Sequence, residues 1–194
     1  MNFYVIRHGQ TDYNRLNIYQ GQKDIPLNDT GINQAREMTI KLKEIVSEKN
    51  INAIIVSPLK RAIQTAEMIS NFFNIKLIIC DGIKERSFGN LEGREKNPKL
   101  TNEMMLDYEK NYCLENIEPI RHLFKRVYET LDSIVEKYAK IEKESGKEVN
   151  IVIVTHGAVT IAIDCYFNGK PKVMNYNTLE PKVLKNAQIK VYKR

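Results

Sequence analysis

Short apolar runs alternate along this chain with segments whose apolar residues recur every three or four positions. Runs rich in β-branched residues predict buried strands, whereas the helical spacing predicts amphipathic helices between them. This alternation predicts an α/β fold, with three α/β/α layers around a mainly parallel central sheet. The runs lie at 3–6, 53–56, 75–79 and 151–154, and one or two closing strands are expected near 183 and 189–192.

The predicted helices leave one long gap in the alternation. Residues 94–120 interrupt it between the third and fourth strands, so we expect short helices there that form a lid insertion. Nothing else marks a boundary, and 1–194 is predicted to be a single domain. Four helices are predicted. The first follows residues 28–31 and runs to about 49, and the second starts after Ser57 as N-cap, with Pro58 at its first position. The third runs from 123 to Gly146 and the fourth from about 158 to 167.

Two of the predicted strands end in His-Gly, at His8-Gly9 and His156-Gly157. The carboxyl ends of parallel strands meet at one edge of a sheet, where ligands bind. On an extended strand Arg7 and His8 point to opposite faces, but Gly9 permits a turn that lets both converge. Together with Arg61, these residues describe a phosphate pocket, because arginine binds phosphate bidentately and stays charged.

Each of these residues also has a purely structural interpretation. A single histidine at a strand end usually forms structural hydrogen bonds, and an arginine on a helix is usually a surface charge. A metal site is a competing use of the two histidines, with Asp12 or Asp164 as a third ligand, although no metal-binding motif is present. His122 falls on the polar face of the long helix and is predicted to be solvated.

Composition narrows the class of protein. The chain has 194 residues, of which 42% are hydrophobic, and no apolar run reaches the roughly 20 residues of a membrane span. The first strand begins almost at Met1, so we expect no signal peptide. The three scattered cysteines fit reduced thiols, and we expect a cytoplasmic protein that does not bind membranes.

The net charge of +6 could attract an anionic partner. Lysines alternate with glutamates along the helices, however, as in Glu37/Lys41 and Glu136/Lys140, which indicates a solvated surface. No basic block or aromatic-basic motif predicts nucleic-acid binding.

Four motifs resemble those of the histidine phosphatase superfamily, which includes the cofactor-dependent phosphoglycerate mutases. Any one of them is short, but their order and separations match the family through most of the chain. The motifs are residues 7–14 (RHGQTDYN) with the block 20–35 that follows, residues 57–66 (SPLKRAIQTA), residues 85–93 (ERSFGNLEG) and residues 155–157 (THG).

The resemblance implies roles for residues of these motifs. His8 would be the nucleophile that forms a phosphohistidine, and Glu85 the general acid, with Glu92 as the less favoured alternative. No metal or cofactor is implied. The residues implied to bind the phosphoryl group or line its pocket are Arg7, Asn14, Gln20, Gly21, Arg61 and His156, the last also being counted as catalytic.

Several departures from the mutase pattern favour hydrolysis. Phe88 stands where the mutases carry a tyrosine, Gln20 precedes Gly21 where they carry a small hydroxyl residue, and no adjacent arginine pair occurs between 94 and 121. Lys96 does match a mutase lysine. We therefore expect a metal-independent phosphatase acting on small phosphorylated metabolites. The alternatives are a mutase-type phosphoryl transferase and a protein-interacting phosphatase-like module; the oligomeric state and the exact substrate are not encoded in any motif.

Overall fold

In the computed structural model, which describes residues 1–46, 50–106, 108 and 114–194, five strands form one sheet. The strand order is β3-β2-β4-β1-β5, and only β5 runs antiparallel to its neighbour. The expectation of a mainly parallel sheet is therefore confirmed. The strands are β1 (Asn2–Arg7), β2 (Ala53–Val56), β3 (Leu77–Ile79), β4 (Asn150–Thr155) and β5 (Ile189–Lys193).

Helices cover both faces of the sheet, which gives the three expected layers. One hydrophobic core joins the sheet to α2 and α3, and a second joins its other face to α5 and α6. The helices of the described chain are α1 (Asp12–Arg15), α2 (Asp29–Val46), α3 (Lys60–Phe73), α4 (Pro98–Leu106), α5 (Ile120–Ser145), α6 (Gly157–Asn168) and α7 (Tyr176–Leu179). None of these described helices has the length and apolarity needed to cross a bilayer.

Strand alternation divides the apolar residues between the two cores. Phe3 and Val5 of β1 point to the α5/α6 side, whereas Tyr4 and Ile6 point to the α2/α3 side. β4, in the centre of the sheet, is buried along its whole length. A strand buried on both faces reads as a continuous apolar run, which is why the sequence pattern located β1 and β4 so well.

The structure differs from the predicted elements in several details. β3 begins at Leu77 rather than at residue 75, and of the one or two expected closing strands one forms, as β5. α3 begins at Lys60 rather than after a Ser57 cap, because the Ser57 hydroxyl is hydrogen-bonded to His156 and the cap position falls on Leu59. No strand forms near Val183, whose amide instead closes a 3-10 turn on the Glu180 carbonyl. The predicted end of α2 near residue 49 lies outside the described residues.

The interrupting segment contains helix, as expected. It forms α4 and a short 3-10 turn at Leu114–Asn116, and its described part borders the cavity described below through Lys96 and Thr101. Cys80 and Cys165 are free thiols, whereas Cys113 lies outside the described residues.

A buried carboxylate attaches the C-terminal segment to the body. Asp164 of α6 forms ion pairs with Lys182 and Lys190, and it also accepts a hydrogen bond from the Tyr192 hydroxyl. Burial alone raises the pKa of this carboxyl, but the two lysine hydrogen bonds outweigh burial and the pKa is lowered. Asp164 therefore fixes β5 and the preceding turn on α6.

We expect Asp164→Asn to lower the free energy of unfolding by about 3 kcal/mol, because it leaves two lysines without their shared partner. Urea denaturation measures this difference. The Asp164 pKa is lower in the folded state than in the unfolded state. The difference in free energy of unfolding between the two proteins should therefore be complete at pH values above the usual pKa of an aspartate. It should disappear only as the pH falls through the lowered pKa of the folded state. The control Glu136→Gln removes the exposed pair with Lys140 and should cost less than about 0.5 kcal/mol; an equal loss in both variants would contradict the role of Asp164.

Candidate active site

The two His-Gly strand ends lie side by side at the carboxyl edge of the sheet. Arg7, the last residue of β1, is in register with Thr155, the last residue of β4. The ring centroids of His8 and His156 are consequently 5.1 Å apart. A cavity of about 210 Å³ opens at this edge, and His8 lines it, whereas His156 is fully buried and is not among its lining residues.

The hydrogen bonds of His8 define its tautomer. Its Nδ1 lies 2.7 Å from the Gly9 carbonyl oxygen, which can only accept, so Nδ1 carries the proton in the neutral ring. Nε2 then carries the lone pair. The Arg61 Nε–H donates to this lone pair at 3.2 Å. A neutral imidazole with an unprotonated Nε2 is the form required of a nucleophile.

Arg61 occupies the centre of the arrangement and is only 1% exposed. Its Nε–H is shared between His8 Nε2 and His156 Nδ1, both at 3.2 Å. Its terminal nitrogens donate to the carbonyls of Lys23 and Gly21 at 2.8 and 2.7 Å. The alternative of a surface charge is therefore wrong for this arginine.

His156 is held from the opposite side by a serine. Because its Nδ1 accepts from Arg61, its proton resides on Nε2, which donates to Ser57 Oγ at 2.7 Å. The Ser57 side chain thus fixes the tautomer and orientation of His156. In the sequence Ser57 is interpreted as a helix cap, so its hydrogen bond to His156 is not predicted.

Burial and positive charge keep both imidazoles neutral. Burial lowers the pKa of His8 well below its usual range, and the nearby guanidinium groups of Arg61 and Arg7 lower it further. The pKa of His156 is lowered by burial first and then by Arg61. Burial lowers the pKa of Arg61 itself to about 10, so its guanidinium stays charged at neutral pH.

Arg7 brings a second guanidinium to the wall of the cavity that His8 also lines, so the two neighbouring side chains converge as expected. One of its terminal nitrogens donates to the Leu184 carbonyl at 2.7 Å. Its buried Nε–H has no hydrogen-bond acceptor among the described residues. A buried donor without a partner costs free energy unless a ligand satisfies it, and an anionic oxygen would do so.

The two candidate carboxylates differ clearly in position. Glu85 lines the cavity, where its carboxylate accepts from the amides of Arg86 at 2.9 Å and Ala158 at 3.4 Å. Glu92 instead accepts from the amides of Gln22 and Phe88, and it is not among the lining residues. Glu92 therefore joins two loops, and the geometry favours Glu85 as the carboxyl group of the site.

Amide side chains complete the inner wall. Asn14 accepts through its oxygen from Thr11 and from Asn186, which leaves its amide nitrogen as the group available to a ligand. Gln20 likewise accepts from the Thr11 hydroxyl, and Gln20 and Gly21 both line the cavity. All the site residues predicted from the sequence therefore converge here, with His156 behind the wall.

Asn186 was missed from the sequence. Its side-chain nitrogen donates to the carbonyls of His8 and Gly9, so it holds the turn that follows β1. It stands in the C-terminal segment far from the other motifs, and no local pattern distinguishes it from a surface asparagine.

A glycine is required at position 9 for a different reason from the turn expected from the sequence. Its φ is not positive; instead it passes so close to α2 that an added Cβ would lie 2.4 Å from the Gly31 carbonyl oxygen. Gly21, in contrast, has a φ of +52° and also lies against the Glu92 carboxylate. These close approaches bring the loops after β1 onto the site.

The outer wall of the cavity combines aromatic and charged groups. Tyr19 and Phe88 contact each other there with ring centroids 5.3 Å apart. Burial lowers the pKa of Lys96, and the nearby Arg7 lowers it further. The remaining lining residues of this part are Thr101, Gly157, Ala158, Tyr176, Glu180 and Val183.

The competing metal hypothesis finds no support in this geometry. Asp164 is bound by its two lysines, and the exposed Asp12 pairs with Arg15. Within the described parts of the chain, no three histidine, cysteine, aspartate or glutamate side chains are grouped to hold a metal ion. His122 is exposed on α5, as predicted.

Comparison with known families agrees with the motifs. A model of the histidine phosphatase superfamily (branch 1) matches residues 3–191. The chain belongs to this superfamily. Its fold is shared by a mycobacterial glucosyl-3-phosphoglycerate phosphatase, with a TM-score of 0.81 at 21% identity over 98% of this chain and 88% of the other. A phosphoserine phosphatase of Entamoeba histolytica, in complex with phosphoserine, gives a TM-score of 0.75 at 26% identity over 98% and 89% of the two chains.

Two sequence relatives carry phosphatase names. The uncharacterized phosphatase PhoE of Bacillus subtilis is 32% identical over 184 residues, which are 95% of this chain and 86% of the relative. A putative phosphoserine phosphatase 2 of Hydrogenobacter thermophilus is 31% identical over 169 residues, or 86% and 78% of the two chains.

We expect Arg61→Gln to raise the pKa of both His8 and His156, because it removes a positive charge and a donor to the lone pair of each ring. NMR titration of the imidazole signals measures the change, in a His122→Gln background that leaves only these two rings. Arg36→Gln, an exposed substitution on α2, should leave both pKa values unchanged. Unchanged or lower pKa values in Arg61→Gln would contradict the electrostatic coupling.

Proposed function

We propose that this protein is a metal-independent phosphomonoester hydrolase that acts through a phosphohistidine on His8. The observation that carries the proposal is the neutral His8 ring, whose Nε2 lone pair lies beside Arg61 in a cavity also lined by Arg7 and Glu85. This combination supplies a nucleophile, cationic groups for phosphoryl oxygens and a carboxyl group in one enclosure.

In the first step, Nε2 of His8 attacks phosphorus, and the bond between phosphorus and the ester oxygen breaks. Glu85, entering as the neutral acid beside the phosphate dianion, gives its proton to the leaving oxygen, so that an alcohol departs. The Arg61 Nε–H moves from the Nε2 lone pair to a phosphoryl oxygen, which frees the lone pair for attack.

In the second step, the Glu85 carboxylate takes a proton from water while the water oxygen attacks phosphorus. The bond between phosphorus and Nε2 breaks, inorganic phosphate forms, and both His8 and Glu85 return to their starting forms. All electrons and protons of this cycle are assigned, and each step is carried by side chains of the site without a metal or cofactor.

Phosphoryl binding is assigned to groups that already face the cavity. Arg7 and Arg61 stabilise charge on the transferring phosphoryl oxygens, and the Asn14 amide nitrogen donates a further hydrogen bond. Gln20 and Gly21 shape the wall next to them. His156 acts from behind, since it shares the Arg61 Nε–H and thereby orients the guanidinium.

The substrates we propose are small phosphorylated metabolites. A cavity of about 210 Å³ holds a phosphate with a modest organic group, and relatives with this fold are named for phosphoserine and for a sugar phosphoglycerate. In this proposal residues 94–120 form a lid of a single 1–194 domain, since Lys96 and Thr101 border the cavity. A cytoplasmic location remains part of the proposal.

A mutase-type phosphoryl transferase is the second candidate, favoured by Lys96, which lines the cavity next to the catalytic groups. A phosphatase-like binding module is less favoured, because the nucleophile, the arginines and the carboxyl group are all in place.

We expect His8→Ala to reduce hydrolysis of phosphomonoesters at least about a thousandfold, because no other group replaces the nucleophile. Incubation with a ³²P-labelled substrate, quenched in alkali, should label the unmodified protein in an acid-labile form and leave His8→Ala unlabelled. His122→Ala is the matched control and should retain both turnover and label. Retained activity in His8→Ala would exclude this mechanism, and a loss of activity in EDTA would exclude its metal independence.

Hydrolysis should exceed transfer between metabolites. With 3-phosphoglycerate and catalytic 2,3-bisphosphoglycerate, we expect isomerisation to be slower than release of inorganic phosphate from the best substrate of a phosphorylated-metabolite panel. The departures at Gln20 and Phe88 are the reason for this expectation. ³¹P NMR follows both the isomerisation and the release of inorganic phosphate, so the same method measures the two rates. Faster isomerisation would favour the mutase candidate.

A further inference from the structure

The carboxyl group of Glu85 depends on its backbone for its position. Among the described residues, its side chain accepts hydrogen bonds from two backbone amides, those of Arg86 and Ala158, the latter a long contact of 3.4 Å. The segment that carries it, residues 82–87, connects one turn to another and belongs to no strand or helix beyond Ile83. Whatever fixes the main chain of this segment therefore determines where the carboxyl group meets the leaving oxygen.

Arg126 of α5 binds that main chain through three backbone carbonyls. One terminal nitrogen donates to the carbonyls of Gly82 at 3.0 Å and Lys84 at 2.7 Å, and the other donates to the Glu85 carbonyl at 3.1 Å. A planar guanidinium with five donors can bind three carbonyls of one short segment in a fixed geometry, whereas an ammonium group on a flexible stem cannot.

Glu118 completes this connection. Its carboxylate accepts from Arg126 Nε at 2.7 Å and from a terminal nitrogen at 2.9 Å, in a bidentate ion pair. The same carboxylate accepts from the Ser87 amide at 3.2 Å. The Glu118 backbone adds two further bonds, to the Ser87 carbonyl and from the Arg86 Nε.

The pair is shielded from solvent without reaching the cavity. The side chains of Arg126 and Glu118 are 24% and 15% exposed, so the ion pair is partly desolvated, and a bidentate contact in that setting has a fixed geometry. Neither residue is among those lining the cavity. They make no contact with the cavity, and apart from the Arg126 charge, which contributes to lowering the pKa of His156, they act through the residues they hold.

We propose that the Glu118–Arg126 ion pair positions Glu85 for proton transfer to the leaving group. The inference rests on the proposed function, in which Glu85 is the general acid. Loss of the pair removes the side-chain hydrogen bonds to the Gly82, Lys84 and Glu85 carbonyls and to the Ser87 amide, and leaves this main chain with the weaker support of Gln22 and of the Glu118 backbone. A carboxyl group displaced by about 1 Å protonates the leaving oxygen poorly.

Within the described parts of the chain, His8, Arg7 and Arg61 make no hydrogen bond with either residue, so the nucleophile and the phosphate-binding groups keep their positions. The Arg126 charge that acts on His156 is retained in Arg126→Lys, which separates this charge effect from the positioning role.

Dependence of kcat/KM on the leaving group tests this proposal. 4-Nitrophenolate leaves phosphorus with little need of a proton, whereas an alkoxide from glycerol phosphate requires one. Because kcat/KM reports steps up to release of the alcohol, it isolates the protonation step from the later hydrolysis of the phosphohistidine. We expect Arg126→Met to lower kcat/KM for glycerol phosphate at least about tenfold more than for 4-nitrophenyl phosphate.

Conservative variants extend the test. Arg126→Lys retains the positive charge but loses the planar set of donors. Glu118→Gln retains an acceptor for the Ser87 amide but loses the ion pair. Both variants should therefore lose more kcat/KM on glycerol phosphate than on 4-nitrophenyl phosphate, by a smaller factor than Arg126→Met. Lys125→Met alters the neighbouring exposed position on α5, where the lysine pairs with Glu129, and should show no leaving-group effect. If Arg126→Met fails to fold, as judged by its thermal melting, these two conservative variants decide the question.

Glu85→Gln serves as the reference that separates the two hypotheses. It should show the strongest selective loss on glycerol phosphate. If Glu85→Gln shows no selectivity, the acid role in the proposed function is wrong. If Glu85→Gln is selective but the variants at Arg126 and Glu118 lose activity equally on both substrates, or not at all, the positioning role is wrong and the acid role stands.

Discussion

The buried guanidinium of Arg61 is the group around which this site is organised. Removing such a charge from water is costly, and the cost is acceptable only where its donors find acceptors of fixed geometry. Here the acceptors are the two imidazoles and the carbonyls of Gly21 and Lys23. The requirement therefore constrains two strand ends and a loop simultaneously, and it explains why both histidines must be neutral.

The same positive charge gives the site its chemical character. Burial and the arginines lower the pKa of His8, so the ring is available as a nucleophile over the ordinary pH range. The arginines that keep it neutral also face the cavity in which an anionic phosphoryl group would bind. In the proposed mechanism one electrostatic arrangement thus serves the nucleophile and the transferred group, whereas the carboxyl group of Glu85 lies on a segment whose carbonyls are bound by Arg126 of α5.

Much of the fold follows from local patterns along the chain. β1 and β4 are buried on both faces, so they appear as continuous apolar runs, and the apolar stripe of α5 is long enough to be unambiguous. Boundaries were less well predicted. Ser57 has the sequence context of a helix cap, yet its hydroxyl is used by His156 on another strand, a competition that no local pattern reveals.

Local patterns along the chain are enough to assign the fold class and the candidate site residues, because strand burial and short motifs are encoded by neighbouring residues. They indicate that His8, Arg7, Arg61 and Glu85 belong together. Their spatial relations are visible only in the folded chain, where His156 lies behind the cavity and Glu92 joins two loops. The same is true of Asn186 and Arg126, which support the site from remote segments. Those relations depend on contacts between residues far apart in sequence, and hydrogen-bond partners of that kind leave no periodicity or spacing along the chain.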